Sequence, residues 1–228
     1  MTVDELKAKL PKLPVFKIDF TGEEVGYKNS KLGGNYYWKD ADGLKDYIFL
    51  AQINFSELPE NDIFPKKGLL QFFVFNDDCY GLFNETDKDG FKVVYHEDFD
   101  EGFEIETDRS IEYSPIDKPN LGMKFEATEE YLSYADYRFE NYYSEDLTDE
   151  MYDTFDGSGS KILGYPTFTQ YDPRDNGDSN NKYDTLLLQL DSDENMMWGD
   201  SGVANFFING EKLRKGNFSD ILYNWDCC

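Results

Sequence analysis

His96 is the one histidine of the chain and stands among Tyr95, Glu97 and Asp98. An imidazole titrates near neutrality, so His96 is the natural general base if the protein is an enzyme. Downstream, Gly199-Asp200-Ser201-Gly202 has the form of a segment that presents a serine nucleophile, with a histidine earlier in the chain as its base. Two observations weaken that pairing. Gly202 stands where an earlier, similar segment has Gly68 after Pro65-Lys66-Lys67, with no serine, and the residues around His96 lack the surroundings such a base requires. The expected forms are a turn leading into a strand at Gly199–Gly202, and a structural histidine at 96.

Carboxylates at alternate positions could hold a divalent cation. The run Glu85-Thr86-Asp87-Lys88-Asp89-Gly90 follows part of the calcium-loop pattern, with Asp87 and Asp89 as ligand candidates. It departs from that pattern twice, because Glu replaces the first Asp and the twelfth position holds His96 instead of glutamate. A hairpin turn is expected. The acidic run Asp172 to Asp178 is weaker still, because Arg174 occupies a ligand position. No cofactor is expected.

Polar residues also recur inside apolar runs. In a strand, Gln52 and Asn54 project to one face, as do Gln189 and Asp191 in a second, matching run. These four could line a cleft shared by two halves of the molecule. Otherwise they close main-chain groups of neighbouring loops, as buried polar atoms must be closed. Between Asp98 and Asp108 the pattern alternates: Asp98, Asp100, Glu104, Glu106 and Asp108 fall on one face, and Phe99, Phe103 and Ile105 on the other. As one extended strand this is an acidic ribbon that would steer a basic partner. A charged edge strand also prevents aggregation without any partner.

The composition limits what such sites could serve. Lys and Arg total 22 against 47 Asp and Glu, a formal net charge of -25. A basic groove for nucleic acid is excluded by that balance. Only Arg109, Arg138, Arg174 and Arg214 offer a guanidinium fork, and no glycine-rich phosphate loop accompanies them. The three cysteines, Cys79 and the pair Cys227 and Cys228, lack zinc-ligand spacing and fit a reducing compartment. The first residues lack the basic start and apolar stretch of a signal peptide, and the longest apolar run, Leu69 to Phe75, is too short to span a bilayer. A cytoplasmic protein with no membrane segment is expected.

The elements that must position these residues are legible as runs. Thr2-x-x-Glu5 has capping-box spacing, with Leu6 and Leu10 on one helical face and Pro11 and Pro14 beyond. Strands are expected in VFKIDF from Val15, YIFLAQINF from Tyr47, GLLQFFVF from Gly68 and FKVVYHE from Phe91. Leu132, Ala135, Phe139 and Tyr142 recur at helical spacing behind Glu129 and Glu130, which predicts a second helix from near Thr128 to about Tyr143. Further helical turns are expected at Asp149 to Phe155, and Gly157-Ser158-Gly159-Ser160 reads as a linker.

Across that linker the sequence repeats. Leu50-Ala-Gln-Ile-Asn54 matches Leu187-Leu-Gln-Leu-Asp191, and Gly68-Leu-Leu-Gln-Phe-Phe-Val74 matches Gly202-Val-Ala-Asn-Phe-Phe-Ile208. A third, weaker match pairs Ser30-Lys31 and Gly34 with Ser160-Lys161 and Gly164. Three ordered blocks with nearly constant spacing imply a duplicated half-domain whose copies pair about a pseudo-twofold axis. The expected fold class is α+β, β-rich, with mostly antiparallel sheets from two pseudo-symmetric copies and a few flanking helices. The whole chain, 1–228, forms one domain, with a first half of about 1–156 that is elaborated over 76–155 and a second half of about 157–228.

These blocks, FLAQINFSELP from Phe49, GLLQFFVFNDDCYG from Gly68, VVYHE from Val93, LLLQLDSD from Leu186, WGDSGVANFFI from Trp198 and ILYNWDC from Ile221, resemble the YwqG-like bacterial family. The resemblance covers almost the whole chain. It implies an α+β fold with a twice-repeated β-rich core and assigns no residue to catalysis. The leading expectation is an acidic, non-enzymatic binding or regulatory protein with a basic protein partner. The alternatives are a hydrolase with its site between the halves, built on His96 and carboxylates, and a divalent-metal-binding protein.

Overall fold

The computed structural model describes residues 1–83, 89–107, 111–175 and 180–228. Its main body is one ten-stranded sheet, all of whose strand pairs are antiparallel. In chain order the strands are β1 (Lys12–Glu24), β2 (Lys31–Leu32), β3 (Tyr36–Trp38), β4 (Tyr47–Asn54), β5 (Leu69–Phe75), β6 (Phe91–His96), β7 (Phe103–Ile105), β8 (Leu121–Tyr131), β9 (Lys161–Leu163), β10 (Thr185–Asp191), β11 (Val203–Ile208) and β12 (Ile221–Asp226). The spatial order in the sheet is β12-β11-β10-β9-β1-β8-β2-β4-β5-β6, and β3 pairs with β7 in a separate two-stranded flap.

Strands β4, β5, β10 and β11 are covered on both faces, which is why they read as unbroken apolar runs instead of alternating ones. Their inner faces, including Leu70, Phe72, Val74, Leu188, Leu190 and Phe206, meet in one core. The outer faces carry two smaller clusters, Phe49 and Phe73 under Tyr36 and Trp38, and Leu186 and Phe207 under Tyr183 and Phe168. The sheet curls into a nearly closed barrel. Its two edge strands meet through side chains, Phe91 of β6 lying 5.3 Å from Tyr223 of β12 between ring centroids, and Phe72 lies 5.0 Å from Phe206 across the interior.

Among the described residues three short helices flank the sheet: α1 (Val3–Lys7), α2 (Asp149–Thr154) and α3 (Gly210–Arg214). The expected capping box at Thr2 and Glu5 is formed, and Thr148 caps α2 through its bond from Met151 N–H. Leu6, Leu132, Phe139, Met151 and Phe155 build a satellite core from these elements. Among the described residues no helix is long and apolar enough to cross a membrane.

The helix expected from Thr128 to Tyr143 does not form. Residues to Tyr131 belong to β8, which runs beside β1 from Leu121 to Tyr131. Beyond it, Ser133 Oγ accepts from Ala135 N–H and Asp136 Oδ1 from Arg138 N–H, bonds that hold a turn and compete with a helix. Long-range pairing on one side and side-chain-to-backbone bonds on the other outweigh the local spacing. Leu132 and Phe139 are buried, as that spacing predicts, yet only Phe139–Asn141 makes a short 3-10 turn.

The acidic ribbon is also shorter than its pattern. Only Phe103–Ile105 is a strand, and Asp98 and Asp100 lie in the irregular segment before it. Phe103, expected on a covered face, is 51% exposed.

Candidate functional site

The repeated polar residues form two buried rows on the outer face of the sheet. Lys31, Gln52 and Gln71 are register partners across β2, β4 and β5, while Lys161, Gln189 and Asn205 are partners across β9, β10 and β11. All six side chains are fully buried or nearly so.

Gln52 and Gln189 make the same bonds at different places. Gln52 Nε2 donates to Tyr27 O and Asn29 O, each at 2.8 Å, and Gln189 Nε2 donates to Gly157 O at 3.0 Å and Gly159 O at 2.8 Å. Beside them, Asn54 N–H donates to Ser30 Oγ at 2.9 Å and Asp191 N–H to Ser160 Oγ at 3.1 Å. Gln71 Nε2 and Asn205 Nδ2 donate to Tyr37 O and Thr167 O at 2.8 and 2.9 Å. The equivalence extends to the backbone. The β4–β5 register shifts between Phe49 and Ala51, the β10–β11 register between Leu186 and Leu188, and the left-handed pair Gly33-Gly34 is matched by Leu163-Gly164.

The rows lace each strand group to the loop that covers it. Asn54 Oδ1 accepts from Ser56 N–H and Oγ, and its Nδ2 donates to Lys28 O. Asp191 Oδ2 accepts from Gly159 N–H at 2.7 Å, and burial raises its pKa against that stabilising bond. Gln52, Asn54, Gln189 and His96 line none of the three cavities described for the molecule. Asp191 lines one of these, a shallow cavity of about 320 Å³, with Tyr134, Tyr152 and Asp156.

His96 ends the first row. Its ring packs edge-on against Tyr37 and Trp38, with centroids 5.0 and 5.5 Å away. Gln71 Nε2 also donates to Gln52 Oε1, so Gln71 Oε1 is an acceptor and His96 Nε2, 2.8 Å away, is the donor. Burial, with a smaller contribution from the Lys39 charge, lowers the imidazole pKa to about 4. Ser201 is exposed, in a turn closed by Gly202 N–H to Trp198 O at 2.7 Å.

Of the metal candidates, Asp87 lies outside the described residues, as does Asp108 of the ribbon. Asp89 is exposed and ion-paired with Lys92 at 3.3 Å. Asp77, Asp78 and Cys79 bring ligand atoms within 4.8 Å of one another, with Asp77 Oδ1 already accepting from Cys79 and Gly81 N–H.

Asp98, Asp100, Glu101, Glu104 and Glu106 are all exposed around Phe103, and none forms an ion pair among the described residues. Asn35 Nδ2 donates to Glu104 Oε1 at 2.8 Å, and Lys28 Nζ to Asp100 O at 2.7 Å, so the flap is tied to the body by neutral acceptors and amides.

The sequence model of a family described as a domain of unknown function, DUF1963, matches residues 30–227. The chain belongs to the DUF1963 family. A search of the curated proteins finds no match. The matched range takes in both polar rows, the flap and every strand of this DUF1963 domain except β1.

Two features of the domain carry little signal in the sequence. Lys31 and Lys161 stand at the head of the rows, and the weak match of Ser30-Lys31 to Ser160-Lys161 was their signal. Asp136, Arg138, Asp172 and Arg174 form an ion quartet, buried except at Arg138, with no spacing that announces it.

Proposed function

We propose that this DUF1963 domain, in keeping with its YwqG-like resemblance, is a non-enzymatic cytoplasmic binding or regulatory protein that takes a basic protein partner on its acidic surface. The observation that carries the reading is the flap, an aromatic ring 51% exposed at Phe103 within a ring of carboxylates that have no basic partner among the described residues. An exposed aromatic surrounded by charge of one sign suits the hot-spot anatomy of an interface, and the carboxylates would speed encounter with a cationic surface. Affinity capture from native lysate tests it. A partner should be retained at low salt and released at about 0.5 M salt, where charges are screened beyond roughly 4 Å. It should also be lost when Asp98→Asn, Asp100→Asn, Glu104→Gln and Glu106→Gln are combined. No partner at low salt, or a complex indifferent to both changes, rejects the reading.

We infer further that the domain arose by duplication, with each copy led by a strand given to the other. The palindromic sheet order supports this: β12, β11, β10, β9 and β1 answer to β6, β5, β4, β2 and β8. On this reading β1 leads the first copy and β8 the second. The second copy therefore begins near Leu121 instead of residue 157.

A further inference from the structure

We propose that the cavity lined by Gly34, Asn35 and Asn120 binds a small amino carboxylate, whose carboxylate takes the place of the Asn120 amide on the buried Lys31 ammonium and accepts from the Asn35 main-chain N–H. The proposal rests on the duplication reading, because the second half displays the same seat filled. There, Lys161 Nζ donates to both oxygens of Glu130, at 2.9 and 3.0 Å, and to Gly157 O at 2.6 Å. Tyr165 N–H donates to the same carboxylate, which lies over Gly164 where a β-carbon would collide with it.

The first half repeats the receiving groups without the carboxylate. Lys31 stands for Lys161, Gly33-Gly34 (φ 53° and 76°) for Leu163-Gly164 (φ 63° and 75°), and Asn35 for Tyr165. Over Gly34 lies Asn120, whose Oδ1 accepts from Lys31 Nζ, and Asn35 O accepts from it at 2.8 Å. Both acceptors are neutral. Among the described residues the fully buried Lys31 forms no ion pair, and the Asn35 N–H makes no hydrogen bond. A buried cation without counter-charge is costly, and burial draws the Lys31 pKa down to about 8 despite the more distant Glu104 and Glu24.

The space beside these groups is a cavity of about 630 Å³, which Gly34, Asn35 and Asn120 help to line. A carboxylate alone would leave most of it empty, since one water occupies roughly 30 Å³. Ile48, Ile116 and Phe49 supply apolar wall for a ligand body. Glu24 and Asp117 line the same cavity, so a second anionic group is disfavoured and an amino group is suited to it.

The test is a titration of the ¹⁵N-labelled full chain, following the Asn35 and Tyr165 amide resonances. The probes are sodium formate and L-alanine, with sodium chloride and L-alaninamide as controls at matched ionic strength. Formate should displace the Asn35 resonance saturably, L-alanine should do so at lower concentration, and neither control should. Lys31→Met should weaken the response at least about tenfold, the scale of a charged hydrogen bond. Glu130→Gln vacates the second-half seat, and formate should then move Tyr165 as well. A wild-type Asn35 resonance that no carboxylate displaces overturns the site, whether or not Glu130→Gln folds. If Tyr165 responds in Glu130→Gln while Asn35 never does, the duplication stands and the ligand site alone is rejected. If Asn35 responds and Tyr165 in a folded Glu130→Gln does not, the site stands and the equivalence of the two seats is rejected.

Discussion

A buried imidazole must shed its proton or find an anion, and His96 sheds it. Its folded pKa of about 4 lies below the ordinary value of 6.5. Between those values the unfolded chain binds the proton and the folded one does not, so stability is fully present above pH 6.5 and falls as the pH drops toward 4. The difference amounts to about 2–3 kcal/mol at pH 4. Urea unfolding at pH 7 and pH 4 should therefore show wild type losing about that much more than His96→Gln. Equal losses in the two proteins would mean that the imidazole is charged in the fold. The amide positions were legible from sequence because Gln52 and Gln189 interrupt two matching apolar runs, and of the two readings that pattern allowed, the structure has the amides closing main-chain groups. Their partners were not legible, since Tyr27, Asn29, Gly157 and Gly159 offer main-chain oxygens that carry no side-chain signature.

At the scale of elements, the segment after β8 depends on charge as much as on apolar contact. Arg174, with its side chain 1% exposed, donates to Asp172 at 2.6 Å and Asp136 at 2.8 Å, and its guanidinium stacks 4.5 Å from the Phe207 ring centroid. Burial pushes the Asp136 carboxyl upward, but the Arg138 bonds and the Arg174 charge hold it below its usual value. Removing Arg174 takes the counter-charge from buried Asp172 and one of two from Asp136, so Arg174→Met should cost roughly 3–5 kcal/mol in denaturant unfolding. Arg138→Met, at a side chain 30% exposed, should cost less. The reverse order would show that Arg138 carries the quartet. The strands whose residues are apolar on both faces, the helix announced by Thr2 and Glu5 and the turns at Asp149 to Phe155 were legible in the sequence. The segment 128–143 was not, because Leu132, Ala135, Phe139 and Tyr142 lie at helical spacing by coincidence, while the pairing of β8 with β1 is set by residues about a hundred positions away.

For the molecule as a whole, the central fact is which strands stand side by side. β1 pairs with β8 and β9, and β8 pairs with β1 and β2, so each end of the chain supplies the strand that the other end requires. A chain cut between Glu112 and Tyr113 should accordingly give two pieces, 1–112 and 113–228, that co-purify in equal amounts when expressed together. Either alone should be insoluble, because each carries a strand with both neighbours missing or an open edge of buried apolar residues. A soluble, folded single piece, judged by dispersed amide resonances, would contradict this account of the sheet. The β-rich class and the antiparallel pairing could be anticipated from sequence, but the pairing of β1 with β8 could not. The reason is that the pairing joins residues about a hundred positions apart, and nothing local in either strand names the other.

The same strand pairing sets a timetable for synthesis. β1 is translated some 140 residues before one of its neighbours, Lys161–Leu163. Until then an apolar strand waits without its ladder, and the barrel can close only after Ile221–Asp226 has emerged. A nascent chain thus exposes unpaired strand edges until Ile221–Asp226 has been made.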